Sequence, residues 1–319
     1  MEFEHKPVLL DECLEGLNIR PQGVYVDGTL GGAGHSMEIL KRLDGGELIG
    51  IDRDQDALRA ATQRLNALNQ AHGAGLHILR GNFHDVRALL SSVGIEKIDG
   101  MLLDLGVSSY QLDARERGFS YHADAPLDMR MDQSQPLTAR EIVNTWDAQE
   151  IARILREYGE EKWAVQIARV IEDRRKLRPI ETTGDLVDII DAAIPRKFRA
   201  KDGSHPARRS FQALRIAVND ELAPLEAALE DIVDLLKPGG RLCVIAFHSL
   251  EDRIVKNCFK RLQNPCTCPP RLPVCVCGKK PVIRLINRKP ITAGEEELKQ
   301  NPRARSATLR IAEKLEEDS

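Results

Sequence analysis

The feature that most constrains this chain is an alternation of strand-like and helix-like patterns over its first hundred residues. Val24-Tyr25-Val26-Asp27 reads as a buried strand ending in an acid, followed by a Gly-rich turn and a helix near Ser36–Arg42. Glu47-Leu48-Ile49-Gly50-Ile51-Asp52 is a second strand ending in an acid, with a helical stretch at Asp54–Leu68 behind it. Leu76–Leu79 is a third strand and Asp99–Asp104 a fourth, again closed by an acid. Such a rhythm requires a parallel sheet with helices on its faces, an α/β class of fold.

The rhythm then stops. From about 113 to 213 no strand pattern is convincing. Instead there are a loop rich in charge and Met (Arg115–Met131), helical stretches at Thr138–Glu157 and Glu160–Arg175, and a basic segment. Strand character returns at Arg241–Phe247, after Lys237-Pro238-Gly239-Gly240 closes a long helix. The simplest topology is a discontinuous sheet domain, 1–112 with 214–319, carrying an inserted helical domain, 113–213.

Composition narrows the class. No apolar run approaches the roughly 20 residues of a membrane span, and the acidic, polar start Met1–His5 does not read as a signal peptide. Seven cysteines, four of them crowded at 266–277, do not resemble a secreted disulfide framework. A cytoplasmic address follows. Net charge of −3 hides clustering: Arg196–Arg215 holds seven Lys/Arg against one acid, and Glu251–Arg310 fourteen against five. Clustering of this kind is the footprint of a phosphate-binding surface, or of a solvated basic face.

Asp27-Gly28-Thr29-Leu30-Gly31-Gly32-Ala33-Gly34-His35 lies where open α/β sheets bind nucleotide-type ligands, beyond the carboxyl end of the first strand. Asp52, closing the second strand, suits a carboxylate that holds ribose hydroxyls. The dinucleotide fingerprint G-x-G-x-x-G is not met, because Met37 stands where the third Gly should fall, and no P-loop is present. A nucleoside ligand without a diphosphate, such as S-adenosylmethionine, fits better. Gly81-Asn82-Phe83 after the third strand and Asp104 at the end of the fourth sit where its adenine would lie. Phe83 serves equally well as core.

At Asp104-Leu105-Gly106-Val107-Ser108-Ser109-Tyr110-Gln111-Leu112-Asp113 the chain resembles the RsmH (MraW) family of 16S rRNA cytosine-N4 methyltransferases. The likeness runs almost end to end, through His5–Leu10, Arg117–Ser120, Pro126–Met131, Tyr158–Glu161, Ser210–Leu222, Phe247–Arg253 and Asn301–Ser306. It implies a class I, Rossmann-like S-adenosylmethionine-dependent methyltransferase fold with an inserted helical substrate-recognition domain. It implies cofactor contacts at Ala33, Gly34, His35, Asp52, Phe83, Asp104 and Gln111, and a target, cytosine 1402 by its usual name, in the decoding region of 16S rRNA. The implied partner is that RNA within the 30S subunit, with no membrane. Two departures stand out: Tyr110 replaces a frequent Pro, and Ala33 a frequent Gly.

Methylating an exocyclic amine requires the nitrogen in line with the sulfonium methyl, with acceptors that draw its protons and localise the lone pair. Asp104, Ser108 and Ser109 are the candidate catalytic residues, with ordinary turn chemistry as the alternative for the serines. Tyr110 or Phe119 is placed to stack on an extruded base. Arg208 and Arg209 are expected on RNA phosphates. His248 and Arg253, after the fifth strand, are expected on the substrate side, with Ser249 capping the helix that follows. Two other readings compete: a methyltransferase of small molecules or proteins with a helical lid, and a non-catalytic assembly factor with a vestigial pocket. The basic insert speaks against the first, and the set Asp52, Asp104 and Gln111 against the second.

Cys266-Thr267-Cys268 and Cys275-Val276-Cys277 form a C-x-C…C-x-C pattern flanked by prolines. Four thiolates could hold a structural zinc, although the usual spacing within a pair is two to four residues. Free thiols in a Pro-fixed loop are the alternative.

Overall fold

The structure, a computed structural model, describes residues 7–198, 205–269 and 274–316. They fall into two compact units. A sheet unit comprises the residues up to Gly106 and those from Leu222, and a helical unit comprises Val107–Glu221. The expected limits of the insertion, 113 and 213, fall inside the second.

The sheet unit is built on eight strands: β1 (Val24–Asp27), β2 (Glu47–Asp52), β3 (Gly75–Arg80), β4 (Ile98–Asp104), β5 (Leu236–Ala246), β6 (Ile283–Leu285), β7 (Ile291–Thr292) and β8 (Thr308–Lys314). Their order is β3-β2-β1-β4-β5-β8-β6, with β7 also on β8. β1 to β5 pair in parallel, and β8 runs antiparallel to β5, β6 and β7. The α/β class and the parallel pairing of the first five strands are as expected. β1 connects outward to β2 on one side and is flanked by β4 on the other. The crevice at this reversal, beyond the carboxyl ends of the strands, is where such sheets take ligands.

Local chemistry explains the elements. β4 is buried along nearly its whole length, as a central parallel strand must be. The helix Gln55–His72 begins at Asp54, whose side chain accepts from the Asp56 N–H, and ends at Gly73 with φ 64°. Its inward stripe is Ala57, Leu58, Ala61 and Leu65. Lys237–Gly240 is not a turn outside the fifth strand, as expected, but lies within β5. The pairing of β5 with β4 jumps there from Ile98–Leu236 to Gly100–Arg241, with Gly239 at φ 77°. A bulge absorbs the extra residues.

The helical unit has its own core, with Leu127, Met129, Ile142, Ile154, Ile167 and Phe211 among its buried members. The stretch expected as a charged loop is part of that core. Arg117 is buried and donates from Nη2 to the carbonyls of Arg130 and Met131, and Asn219 fastens Met129 and Met131 through its amide. The expected helical stretch Thr138–Glu157 is two helices, Ala139–Thr145 and Ala148–Glu157. A helix at Thr183–Ala193 was not foreseen, although the Thr182–Asp185 capping box that starts it is legible in the sequence. Among the described residues no helix is long and apolar enough to cross a membrane.

Candidate functional site

In the sheet unit the Gly-rich turn is tied down by its own strand ends. Asp27 is buried, and its carboxylate accepts from Ser36 Oγ at 2.7 Å and from the Thr29 N–H at 3.2 Å. Burial pushes its pKa up, and the Ser36 bond offsets part of that rise. The Thr29 hydroxyl accepts from the Asp104 N–H at 2.6 Å, joining the turn to the end of β4. Asp27 and Thr29 thus shape the turn, a role that reading Asp27 simply as the close of a strand did not reveal.

Asp52 closes β2. Its Oδ2 accepts from the Gly31 N–H at 2.7 Å and its Oδ1 from the Asp54 N–H at 2.8 Å. Burial nevertheless pushes its pKa up to about 6, against the lowering effect of those amides. Each oxygen keeps a lone pair for a further donor. The residue is therefore both a brace for the Gly turn and an acceptor.

Asp104 closes β4 and is the least satisfied acid of the group. Its Oδ1 is sealed from solvent with no hydrogen-bond partner. Its Oδ2 lies 3.8 Å from His35 Nδ1. Burial pushes its pKa up to about 6. His35 opposes the rise, and Asp27 and Glu251 add to it. His35 is buried, and its Nε2 lies 3.0 Å from the Val8 carbonyl, which fixes Nε2 as the donor. A buried polar atom without a partner costs roughly 1–3 kcal/mol.

Ala33 and Gly34 start the helix Gly34–Leu40. Ala33 is fully buried and left-handed, with φ 63°. The exchange of a frequent Gly for Ala at this position is therefore strained. Phe83 belongs to the hydrophobic core and backs the Gly turn: a Cβ placed on Gly28 would lie 3.2 Å from its own. Beside it, in edge contact at 4.3 Å, is His84, which sequence reasoning missed. Its Nε2 is buried without a partner, and burial lowers its pKa to about 4.

The segment after β5 is a helix start, with a different cap from the one expected. His248, not Ser249, is the N-cap of the helix Ser249–Gln263, its Nδ1 accepting from the Glu251 N–H at 3.4 Å. Imidazole seldom caps helices, whereas serine is a preferred cap. Asp252 pairs bidentately with Arg310 at 2.7 and 2.9 Å, and Arg253 is exposed on the same helix.

In the helical unit Ser108 and Gln111 form a reciprocal capping box. Ser108 Oγ accepts from the Gln111 N–H at 3.2 Å, and Gln111 Oε1 accepts from the Ser108 N–H at 3.0 Å. The turn chemistry weighed as an alternative for Ser108 is present, and Gln111 is its second half. The side chain of Ser109 lies outside the described residues. Tyr110 is half exposed, but Phe119 is in the core and has no face to offer a base.

Arg208 and Arg209 are exposed in the first turn of the helix Arg208–Asn219. Arg209 Nη1 donates to the Glu160 carbonyl at 3.1 Å. No side chain caps this helix, and two cations at its positive end cost roughly 0.3–1 kcal/mol each. An anion at that end would offset the cost. Beside it stand rings not singled out from the sequence: His205 stacks on Tyr121 at 4.7 Å, and Tyr121 meets Phe211 edge-on at 5.5 Å. In a chain with only 4% aromatic residues, Tyr121 was a signal available to be followed. Residues 199–204 of the basic segment lie outside the described residues.

Residues 2–315 match the MraW methylase family. The chain is 58% identical over 316 residues to ribosomal RNA small subunit methyltransferase H of Acetivibrio thermocellus, covering 99% of this chain and 100% of that one. It is 57% identical over 317 residues to the protein of the same name from Symbiobacterium thermophilum, covering 99% and 98%. The Clostridioides difficile protein of that name is 52% identical over 316 residues, covering 99% and 100%. The chain therefore belongs to the MraW methylase family.

Proposed function

We propose that this protein methylates N4 of a cytosine, cytosine 1402 by the family's usual numbering, in 16S rRNA of the small subunit. It would act in the cytoplasm, with S-adenosylmethionine as methyl donor. The names of its relatives support small-subunit rRNA as the substrate. The observation that carries the choice of an amine is the buried, unpartnered Asp104 Oδ1 at the carboxyl end of β4.

The crevice residues fit the donor. Asp52 has lone pairs to spare for ribose hydroxyls, and Ala33, Gly34 and His35 supply the turn beside them. Phe83 supports that turn from the core side, and Gln111 fixes the chain that follows Asp104. When bound, the cofactor supplies an electrophilic methyl on a sulfonium. What the protein must add is position and an acceptor.

An exocyclic amine is a weak nucleophile because its lone pair is shared with the ring. An acceptor that takes one N–H hydrogen bond as the nitrogen pyramidalises helps to localise that pair. Asp104 Oδ1 meets this need better than Ser108, whose oxygen already accepts from Gln111. Ser109 remains a second candidate. Arg208 and Arg209, with the uncapped helix start behind them, hold phosphates, and Tyr110 or Tyr121 offers a ring to a base out of its stack. His248 orders the helix after β5, and Arg253 on that helix adds positive charge.

The test is methylation of 30S subunits, and separately of naked 16S rRNA, by the purified protein with labelled S-adenosylmethionine. Nucleoside mass spectrometry should find N4-methylcytidine. Label on another nucleoside, or none on either substrate, rejects the reading.

A further inference from the structure

The helix Ser249–Gln263 is separated from β6 by residues 264–282, which contain no helix or strand among the described residues. The Val282 N–H donates to the Leu262 carbonyl at 2.9 Å, so the base of this excursion is closed like a noose. Irregular segments longer than about 12–15 residues are uncommon in compact proteins unless something holds them. Apolar packing does not hold this one, because Val274 and Val276 are 71% and 77% exposed.

What the segment does have is four sulfurs. Cys275 Sγ lies 3.6 Å from Cys266 Sγ, 3.7 Å from Cys268 Sγ and 3.5 Å from Cys277 Sγ. Cys266 and Cys277 are 3.8 Å apart, and all four sulfurs lie within 4.8 Å of one another. These separations are far from the roughly 2.0 Å of a disulfide. They match the edge of a tetrahedron of sulfurs around one zinc, which at a Zn–S bond of about 2.3 Å is about 3.8 Å. A backbone amide points at the same cluster: Val276 N–H donates to Cys268 Sγ at 3.4 Å. Amide donors of this kind orient thiolate ligands and spread their charge.

We propose that Cys266, Cys268, Cys275 and Cys277 bind one zinc ion in a closed tetrathiolate site that fixes the 264–282 excursion. Four protein ligands leave no open position, so the metal is structural and takes no part in methyl transfer. The tight C-x-C spacing is no obstacle, since the two pairs face each other and each contributes two vertices. Binding displaces thiol protons, so zinc uptake releases protons to the buffer.

The test uses the full-length protein purified without chelators. Elemental analysis should find one zinc per chain, and none in the double variant Cys275→Ser/Cys277→Ser. Adding cobalt(II) to metal-stripped wild-type protein should produce the visible bands of a tetrahedral thiolate complex. Wild type purified without metal and with these four thiols freely reacting, two disulfides, iron in place of zinc, or zinc retained by the double variant would each overturn the proposal. If the double variant does not fold, the cobalt spectrum of the wild type decides alone, and absence of those bands rejects the site.

Discussion

The two units keep their polar groups in opposite conditions. In the sheet unit the acids at the strand ends are wholly or partly buried: desolvation raises the pKa of Asp52 and Asp104 to about 6, and Asp104 Oδ1 has no partner. In the helical unit Arg208 and Arg209 lie exposed at a helix start, and Arg209 Nη1 donates to the Glu160 carbonyl. On the function proposed above, the cost of burying those acids is offset by donors on the cofactor, at Asp52, and on the target base, at Asp104. Exposed cations like the two arginines are the ones the function proposed above puts on RNA phosphates. The contrast teaches that a partly buried acid and an exposed cation on a helix start call for different tests of binding.

The largest expected effect breaks the sheet-unit side of this contrast. Asp104→Asn keeps the shape but turns half of the acceptor into a donor. Single-turnover methylation should slow by about 10²–10³-fold, the loss typical of one preorganised electrostatic contact. A rate within threefold of wild type would remove Asp104 from the chemistry and return attention to Ser109. Next comes Asp52→Asn, which keeps one of the two backbone bonds that an Ala would lose. Loss of a charge-assisted bond worth about 1.5–3 kcal/mol should weaken S-adenosylmethionine binding by about 10–150-fold in calorimetry.

The raised pKa values sharpen the same side. A ligand that needs ionised Asp52 or Asp104 must displace protons near pH 6. Its affinity should fall by about tenfold per pH unit, for each acid that must ionise, as pH drops below about 6. Calorimetry at pH 6 in buffers of different ionisation enthalpy would detect the released protons, and equal heats in all buffers would contradict the idea. Stability without ligand should move the other way. Both folded pKa values exceed the unfolded value near 4, so these acids favour folding most at low pH. That contribution is lost as pH rises from about 4 through about 6.

On the helical side, Arg208→Ala with Arg209→Ala should weaken RNA binding. The slope of log K against log salt should flatten by roughly 0.7–0.9 for each phosphate that is no longer neutralised. An unchanged slope would make the segment a solvated face. The smallest expected effect is at Ala33, held at φ 63°. A left-handed alanine costs roughly 1–2 kcal/mol, part of which glycine gives back through the unfolded chain. Ala33→Gly should therefore stabilise by about 0.5–1 kcal/mol in denaturant titrations.

Sequence and structure agree best where a signal is local. β1, β2 and β4 were legible because buried parallel strands are apolar runs, and acids mark their ends. Asp54 marked the start of a helix, which runs on past the expected Leu68 to end at Gly73. The Thr182–Asp185 box would have served equally well had it been used. What stayed hidden depends on distant parts of the chain. That Asp104 Oδ1 has no partner follows from how the strand ends pack, and Asp27 turns inward only because Ser36 waits for it. Phe119, Met129 and Met131 sit in an irregular stretch with no period to show which way they face. His248 caps a helix in a place where serine follows directly, so the usual preference misled.

The central claim is that different residues hold S-adenosylmethionine and the RNA backbone, Asp52 the former and Arg208 with Arg209 the phosphates. Its most direct test is a crossed equilibrium-binding measurement. Wild type, Asp52→Asn and the Arg208/Arg209 double variant are each titrated with S-adenosylmethionine and with 16S rRNA at low salt. The account predicts that Asp52→Asn loses at least tenfold in cofactor affinity and keeps its RNA affinity, while the arginine variant loses RNA and keeps the cofactor. Loss of both ligands in both variants, or RNA affinity unmoved by removing the arginines, would contradict it.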